Sequence, residues 1–483
     1  MLLGRCGRAA VFAAVCAVLS SCTTRSSLRV EKLSNSAVGG DYLAAIEDVR
    51  RNHKLYGKNS DFLYKMDIGV LFHYAGLYDS STSWLLKADE VINGLFAHSV
   101  TNEAAAVMVN DNVRPYRSRP YELVMLHQFL ASNFAATGNI DGALVETRRV
   151  QLMFDEWNRK NPKGQKYDSD GMFHYLSSIL YDASGETSNS MISLFHAIRS
   201  FQAGPVPLES SLRDRAYYMF KNNDRDNDNS LLKLSPVVPQ ESIEGLTNGA
   251  TEIVVIGYAG RGPVVEEEAY WGTWVKDGLL VLNHTGTDGS IQTLTLPAPA
   301  LPPEELRKAG NGGSTESGTT FHVKFALPSV RTVSSVTKDF TVTCSGRSGV
   351  FTSIVINDLD KQALKNLEDT RASTIARTVV RVVLRTIAAQ AAKNRMQTGS
   401  TAANLLLNIG TDILADQLEK ADTRHCFLLP KTVQIARIPV EPGNHTVTVA
   451  ARSQSGSEIS RKTFTDITVG PGEKKFLIYP SFK

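Results

Sequence analysis

Between residues 109 and 150 the chain reads VNDNVRPYRSRPYELVMLHQFLASNFAATGNIDGALVETRRV, its densest run of polar side chains. Glu122, His127, Glu146 and Arg149 are types that move protons or hold anions, and Asn110, Asp111, Tyr116 and Tyr121 accompany them. A general base needs a positioned partner and a pocket. The sequence supplies neither. Glu146 and Arg149 stand at the i, i+3 spacing of a local ion pair, and His127 lies among Leu126, Phe129 and Leu130, the setting of a partly buried histidine. No G-x-S-x-G, H-E-x-x-H, Walker or C-x-x-C pattern occurs in the chain. The eight residues therefore form a candidate binding surface, with support of a loop backbone as the structural alternative, and no catalytic residue is assigned.

Two other stretches invite a chemical reading. In NNDRDNDNS, residues 222–230, Asp224, Asp226 and Asp228 are spaced like the first half of a calcium loop. The sixth position is Asn229 where the sharp turn needs glycine, and the twelfth is Ser235 where a bidentate Glu belongs. A solvated loop is the expectation. In TEIVVIGYAGRGPVVEE, from Thr251, a strand enters a glycine-rich turn, but Pro263-Val264-Val265 continues as strand. A phosphate cradle needs helix N–H groups behind the loop, so this is a turn. Neither a metal nor a cofactor is expected.

The clearest chemistry is at the start. Arg5 and Arg8 precede an apolar run from Ala9 to Leu19, then Leu19-Ser20-Ser21-Cys22. Residues 1–21 have the layout of a secretory signal and are too short to span a bilayer. A leucine three residues before a cysteine, with small residues between, is the lipobox pattern of bacterial lipoproteins. Lipidation of Cys22 and cleavage before it would tie the chain to a membrane, since several acyl chains such as palmitate anchor stably where one does not. An ordinary secretory signal that happens to hold a cysteine is the alternative. The uncharged Thr23 points to the outer membrane, by a rule known from enteric bacteria, with the inner membrane as alternative.

The net charge of +3 includes the two signal arginines, so the remainder is nearly neutral and no nucleic-acid partner is expected. Cys6 and Cys16 leave with the signal, which leaves Cys344 and Cys426. An oxidising periplasm would let those two pair, and their spacing matches no zinc pattern.

The elements that must position these residues fall into blocks. Residues 22–39 are small and polar, a tether. From 40 to 230 the pattern is helical and repeats around Gly40, Gly76, Gly138 and Gly185. Five residues after each glycine comes a small residue: Ala45, Ser81, Ala143, Ser190. Seven before the last three stand Gly69, Ala131 and Ser178, and four before them the aromatics Phe72, Phe134 and Tyr181. This is similar to the tetratricopeptide repeat, in which two antiparallel helices meet at small side chains and a glycine turns the corner. The glycine intervals of 36 (40 to 76), 62 (76 to 138) and 47 (138 to 185) exceed the usual ~34, so the array carries insertions. A generic helical bundle is the alternative. A further short helix is expected over Leu212–Phe220.

Residues 245–357 alternate as strands (Leu279–Leu282, Ile291–Leu296, Phe321–Ala326, Val350–Ile356) around a flexible AGNGGSTESG loop. Residues 358–421 are helical. Arg377, Arg381 and Arg385 form one stripe, with Ile375, Val379, Val382 and Thr386 opposite. After QTGST a second helix carries Leu406, Ile409 and Ile413, with Asp412, Asp416 and Glu419 set apart. This hairpin either docks on the sheet or lies on a membrane surface. Residues 427–483 read as an antiparallel meander with turns at 442–443 and 471–472.

The features Asn110-Asp111, Tyr116, Tyr121-Glu122, His127, Asn133, Gly138, Ala143-Leu144-Val145-Glu146 and Arg148-Arg149 resemble an uncharacterised family of bacterial lipoproteins with N-terminal tetratricopeptide-like helices. IVVIGYAGRGPVVEE, EKADTRHCFLLP (Glu419–Pro430) and IPVEPGNHTV fit it too, so the resemblance covers most of the chain after residue 22. Cys426 departs from it, standing where tryptophan is expected. The resemblance implies an architecture and no activity.

The expected fold is therefore α+β: a tetratricopeptide-like helical array, then a mainly antiparallel β domain interrupted by a helical hairpin. The expected role is a lipid-anchored periplasmic scaffold that binds an envelope protein, not an enzyme. The alternatives are a membrane-associated part of an export or surface assembly acting through residues 375–418, and an envelope hydrolase acting through Glu122, His127 and Glu146.

Overall fold

The computed structural model describes residues 36–98, 114–160, 171–286, 289–301, 320–396 and 420–483. The signal, Cys22, Asn110, Asp111, the loop at 309–318 and the second helix of the expected hairpin lie outside the described residues. The tether expected over 22–39 ends sooner than expected. Residues 36–38 are helical, and Ala37 is packed into the core.

Helices come first: α1 (Tyr42–Arg51), α2 (Asp61–Tyr74), α3 (Tyr78–His98), α4 (Pro120–Ala136), α5 (Ile140–Lys160), α6 (Gly171–Ala183), α7 (Thr187–Ala203), α8 (Ser210–Asn222) and α9 (Asp226–Leu231). The pairs α2/α3, α4/α5 and α6/α7 are hairpins that share one corner. Gly76, Gly138 and Gly185 have φ of 77°, 80° and 80°, a left-handed backbone that a Cβ disfavours. The residue after each glycine donates to the carbonyl five back, Leu77 to Phe72, Asn139 to Phe134 and Glu186 to Tyr181, at 2.8–2.9 Å. The small residues then meet across the pair. Ser81 Oγ donates to the Gly69 carbonyl and Ser190 Oγ to the Ser178 carbonyl, each at 2.8 Å, while Ala131 and Ala143 are both fully buried.

The same corner recurs without glycine. Asp224 takes φ 55°, Arg225 N–H donates to the Phe220 carbonyl at 2.9 Å, and Asn229 Nδ2 donates to the Tyr217 carbonyl at 3.0 Å. Tyr217 and Asn229 hold the positions that Gly69 and Ser81 hold around Gly76. NNDRDNDNS is thus the corner between α8 and α9, largely solvent-exposed as expected but helical from Asp226 where a loop was expected. Aspartate tolerates the left-handed region better than most residues because its short side chain bonds locally.

The strands are β1 (Glu252–Arg261), β2 (Val264–Val275), β3 (Leu279–Thr285), β4 (Ile291–Pro297), β5 (Thr320–Arg331), β6 (Thr337–Cys344), β7 (Phe351–Thr352), β8 (Ile354–Asp358), β9 (Pro430–Pro439), β10 (Gly443–Ser453), β11 (Glu458–Val469) and β12 (Lys474–Ser481), with the long helix α10 (Leu359–Met396) between β8 and β9. They form three sheets, ordered β12-β1-β9-β8, β11-β10-β6-β7 and β4-β3-β2-β5. All pairings are antiparallel except β1 with β12, which is parallel. Residues 427–483 are therefore not a meander. β9 and β12 flank β1 in the first sheet, and only β10 and β11 form a hairpin, in the second.

β1 explains the arrangement. Its side chains alternate, and both faces are buried. Val254, Ile256 and Tyr258 join the core shared with the helices, while Ile253, Val255 and Ala259 pack against Phe340, Val342, Val447 and Val449 of the second sheet. Gly257 faces that sandwich where a Cβ would collide with the Phe340 ring. On the other side the first sheet lies on the leading helices of the hairpins, with β12 against α2 and α4 and β8 against α6. The boundary near 230–245 thus separates element types, not cores.

The third sheet has its own core with α10. Tyr270, Trp274, Leu282 and Phe325 pack on Ile375, Val379, Val383 and Leu384. Sheet and helix are a separate layer, where one interrupted β domain was expected. Arg381, expected on a charged outer stripe, is buried. The apolar face of α10 is covered by the sheet, and no helix among the described residues is long and apolar enough to cross a membrane. Cys344 and Cys426 are buried free thiols in two different cores, so the pairing that an oxidising compartment would allow is not formed.

Candidate functional site

Most of the polar run at 110–149 lies inside the molecule. α4 is enclosed by α2, α3, α5 and the first sheet, so Tyr116, Tyr121, Glu122, His127 and Glu146 are all buried. Arg149 alone among the described members is substantially exposed, at 45% of its side chain. The surface expected from these residues is an interior, because the sheet occupies the face that α4 would otherwise present.

They divide into two clusters. Glu122 accepts from Tyr116 Oη at 2.6 Å, from Arg119 N–H at 2.8 Å and from Cys426 N–H at 2.9 Å. Arg119 Nη1 reaches the Arg424 carbonyl at 2.5 Å, and Arg424 Nη1 reaches the Asn59 and Arg114 carbonyls at 3.0 and 3.1 Å. The Arg424 guanidinium also lies over the Tyr116 ring, 5.2 Å from its centroid. Together these clamp residues 422–426 to the start of α4. The second cluster is His127 Nδ1 on Glu146 Oε2 at 2.7 Å, with Arg149 bridging Asp89 at 3.0 Å and Glu146 at 3.7 Å. Glu122 therefore has partners of its own and does not join His127 and Glu146 in one pocket.

Sequence reasoning missed a cavity of about 250 Å³ between the third sheet, α10 and the start of α4. Tyr121 and Arg119 line one side. On the other, His284 Nδ1 donates to Glu268 Oε1 at 2.5 Å, Tyr270 Oη donates to Glu268 Oε2 at 2.8 Å, and Arg371 Nη2 donates to Tyr270 Oη at 2.8 Å. Glu268 orients His284 as an acid orients a catalytic histidine. The atom facing His284 Nε2, however, is Arg371 Nη2 at 3.4 Å, a cation that cannot act as a nucleophile. The cluster pins α10 to the sheet. Its only sequence trace is the alternation of Glu268 and Tyr270 on β2; the pairing of Tyr270 with His284 follows from the strand register.

The larger opening among the helices is a groove of about 580 Å³ on α5, α6 and α7. Arg148 projects from α5, His174 and Tyr181 from α6, and His196 and Arg199 from α7. The His174 and His196 rings lie 5.3 Å apart. Burial, then His196, pushes His174 down to about 4, and burial, then Arg199, lowers His196. Arg148 Nε donates to Tyr181 Oη at 3.2 Å. The sequence signal was helical spacing: 174, 177 and 181 share one face of α6, and 193, 196, 200 and 203 one face of α7. Among the described residues no group of three His, Cys, Asp or Glu can hold a metal ion. No family model matches the chain, and no curated protein matches it either.

Proposed function

We propose that the chain is a lipoprotein of the outer membrane, held through Cys22 with its folded part in the periplasm, and that it is a non-enzymatic scaffold for another envelope protein. The inner membrane is the alternative site if the sorting rule differs. The helical hairpins serve as the binding element in the manner of tetratricopeptide-like repeats. One observation carries this reading: the same corner recurs at Gly76, Gly138, Gly185 and Asp224, with a cross-helix hydrogen bond at the first, third and fourth and a buried alanine pair at Gly138. Because the first sheet fills the face of α2, α4 and α6, the partner is received on the groove of α5, α6 and α7.

The test has two arms. Cys22→Ser should abolish lipid labelling and release the chain from the membrane fraction; retention there in processed form would refute the anchor. Photo-crosslinking from the groove in intact cells should trap a discrete envelope protein. If crosslinkers placed over α5–α7 and over the remaining helical surface trap nothing, the scaffold reading fails.

A further inference from the structure

We propose that the groove on α5, α6 and α7 takes an extended acidic segment of a partner protein, whose carboxylates are held by Arg148 and Arg199; this rests on the scaffold reading and names its ligand. Among the described residues the groove is lined by two arginines and two histidines and by no aspartate or glutamate. Several other arginines of the helices sit on carboxylates, Arg149 on Asp89, Arg213 on Asp214 and Arg225 on Asp228, while Arg50 rests on the Phe72 ring. No described carboxylate makes an ion pair with Arg148 or Arg199. Arg148 rests instead on the Tyr181 ring, 5.6 Å from its centroid, and Arg199 neighbours His196. Two exposed cations in a groove whose described lining holds no acid are the complement of an anionic strand.

The floor favours a polypeptide over a lone anion. Phe154 and Phe173 add apolar lining, and Gln151, Ser177 and Ser193 add hydrogen-bonding groups. Both histidines stay uncharged near neutral pH, so they add donors and acceptors without adding charge. Among the described residues the acidic groups near the groove are Asp155, which accepts from Gln151 at 3.2 Å, and Asp141 and Glu186 in the field of Arg148. Arg148 and Arg199 are the charged side chains among the described residues that line the groove.

The experiment is fluorescence anisotropy with the processed full chain in detergent. The probes are a labelled peptide of alternating Asp and Leu and its Asn–Leu analogue. The acidic peptide should bind in a salt-dependent way, and the analogue about tenfold or more weakly. Arg148→Glu with Arg199→Glu should remove that difference with an unchanged melting temperature, and Arg148→Gln with Arg199→Gln should remove part of it. Equal binding of both peptides, undiminished binding by the charge-reversed variant, or displacement of the peptide by phosphatidylglycerol vesicles would overturn the assignment. Failure of the scaffold itself is separate. If the charge-reversed variant still traps its partner in cells, the acidic-segment assignment is wrong and the scaffold stands; if the parent traps none, the scaffold reading falls whatever the peptides do.

Discussion

Tyr258 of β1 donates its hydroxyl to His73 Nε2 of α2 at 3.0 Å, and His73 Nδ1 donates to Asn133 Oδ1 at 2.6 Å. Asn133 continues to Ser81 Oγ at 2.8 Å, and Ser81 to the Gly69 carbonyl. A strand of the sheet is thereby linked through buried side chains to three helices. Burial pushes His73 down to about 4, so it remains the neutral Nδ1–H form that this chain of bonds requires.

Tyr258→Phe should destabilise the fold by about 1–3 kcal/mol, because it leaves His73 Nε2 buried without a donor. His73, His174 and His425 all titrate near 4 when folded. Between that value and the unfolded ~6.5 the unfolded chain binds more protons, so their contribution is lost as pH falls through this window. Each adds a slope of at most about 1.4 kcal/mol per pH unit. Urea midpoints of parent and His73→Gln at pH 7 and pH 5 measure this; equal pH dependence in the two would refute it.

The two kinds of corner respond oppositely to substitution. Asp224→Gly should be neutral or stabilising, since glycine reaches a φ of 55° without strain. Gly138→Val, at φ 80°, should cost upwards of about 1–2 kcal/mol. Ala143→Leu should cost about 1–3 kcal/mol by overpacking α4 against α5. If the Gly138→Val protein melts with the parent, the corner is not held.

Glu122→Gln should cost about 2–3 kcal/mol, because an amide would turn a donor toward N–H groups that need an acceptor. Residues 422–426 should then become accessible to limited proteolysis while α6 and α7 stay protected. Parent-like melting and proteolysis would place Glu122 outside the clamp.

Glu252 is buried with Asp182 against Lys474, Arg215 and Arg437. Burial alone would raise its pKa, but Arg437, Arg215 and Lys474 hold it down at about 2. Its stabilising contribution is present above the unfolded ~4.5 and is lost as pH falls through about 2. Lys474→Met should cost about 3–5 kcal/mol by leaving the acids under-compensated, and should move the onset of acid unfolding to higher pH. An unchanged acid midpoint would refute the coupling.

Cys344 and Cys426 should resist a thiol reagent in the native state and both react in urea, with no mass change on reduction. Prompt labelling of either in the native protein would contradict its burial.

The glycine corners were legible because a left-handed backbone and a close helix contact each leave a residue type at a fixed offset. Asp224 and Asn229 escaped because they perform the same two tasks with residues that ordinarily mark loops. The placement of Glu122 was not legible, since its acceptor role depends on Cys426, 304 residues away in sequence. Polar side chains are exposed by default, and nothing local to 110–149 announces that a sheet will cover them. Alternation revealed strands in 427–483, yet turns look alike whether the chain folds back beside itself or crosses to another sheet, so β9 and β12 were assigned to one meander. β6 was overlooked altogether.

The order of manufacture meets a difficulty in the first sheet. β1 lies between β9 and β12, and Asp182 and Glu252 find Lys474 only when β12 is in place. A chain emerging from residue 1 onward would hold its helices and β1 incomplete, with apolar strand faces exposed and Asp182 without its lysine, until about two hundred further residues had arrived. Such a nascent chain leaves both edges of β1 open to wrong pairing through the later part of its synthesis.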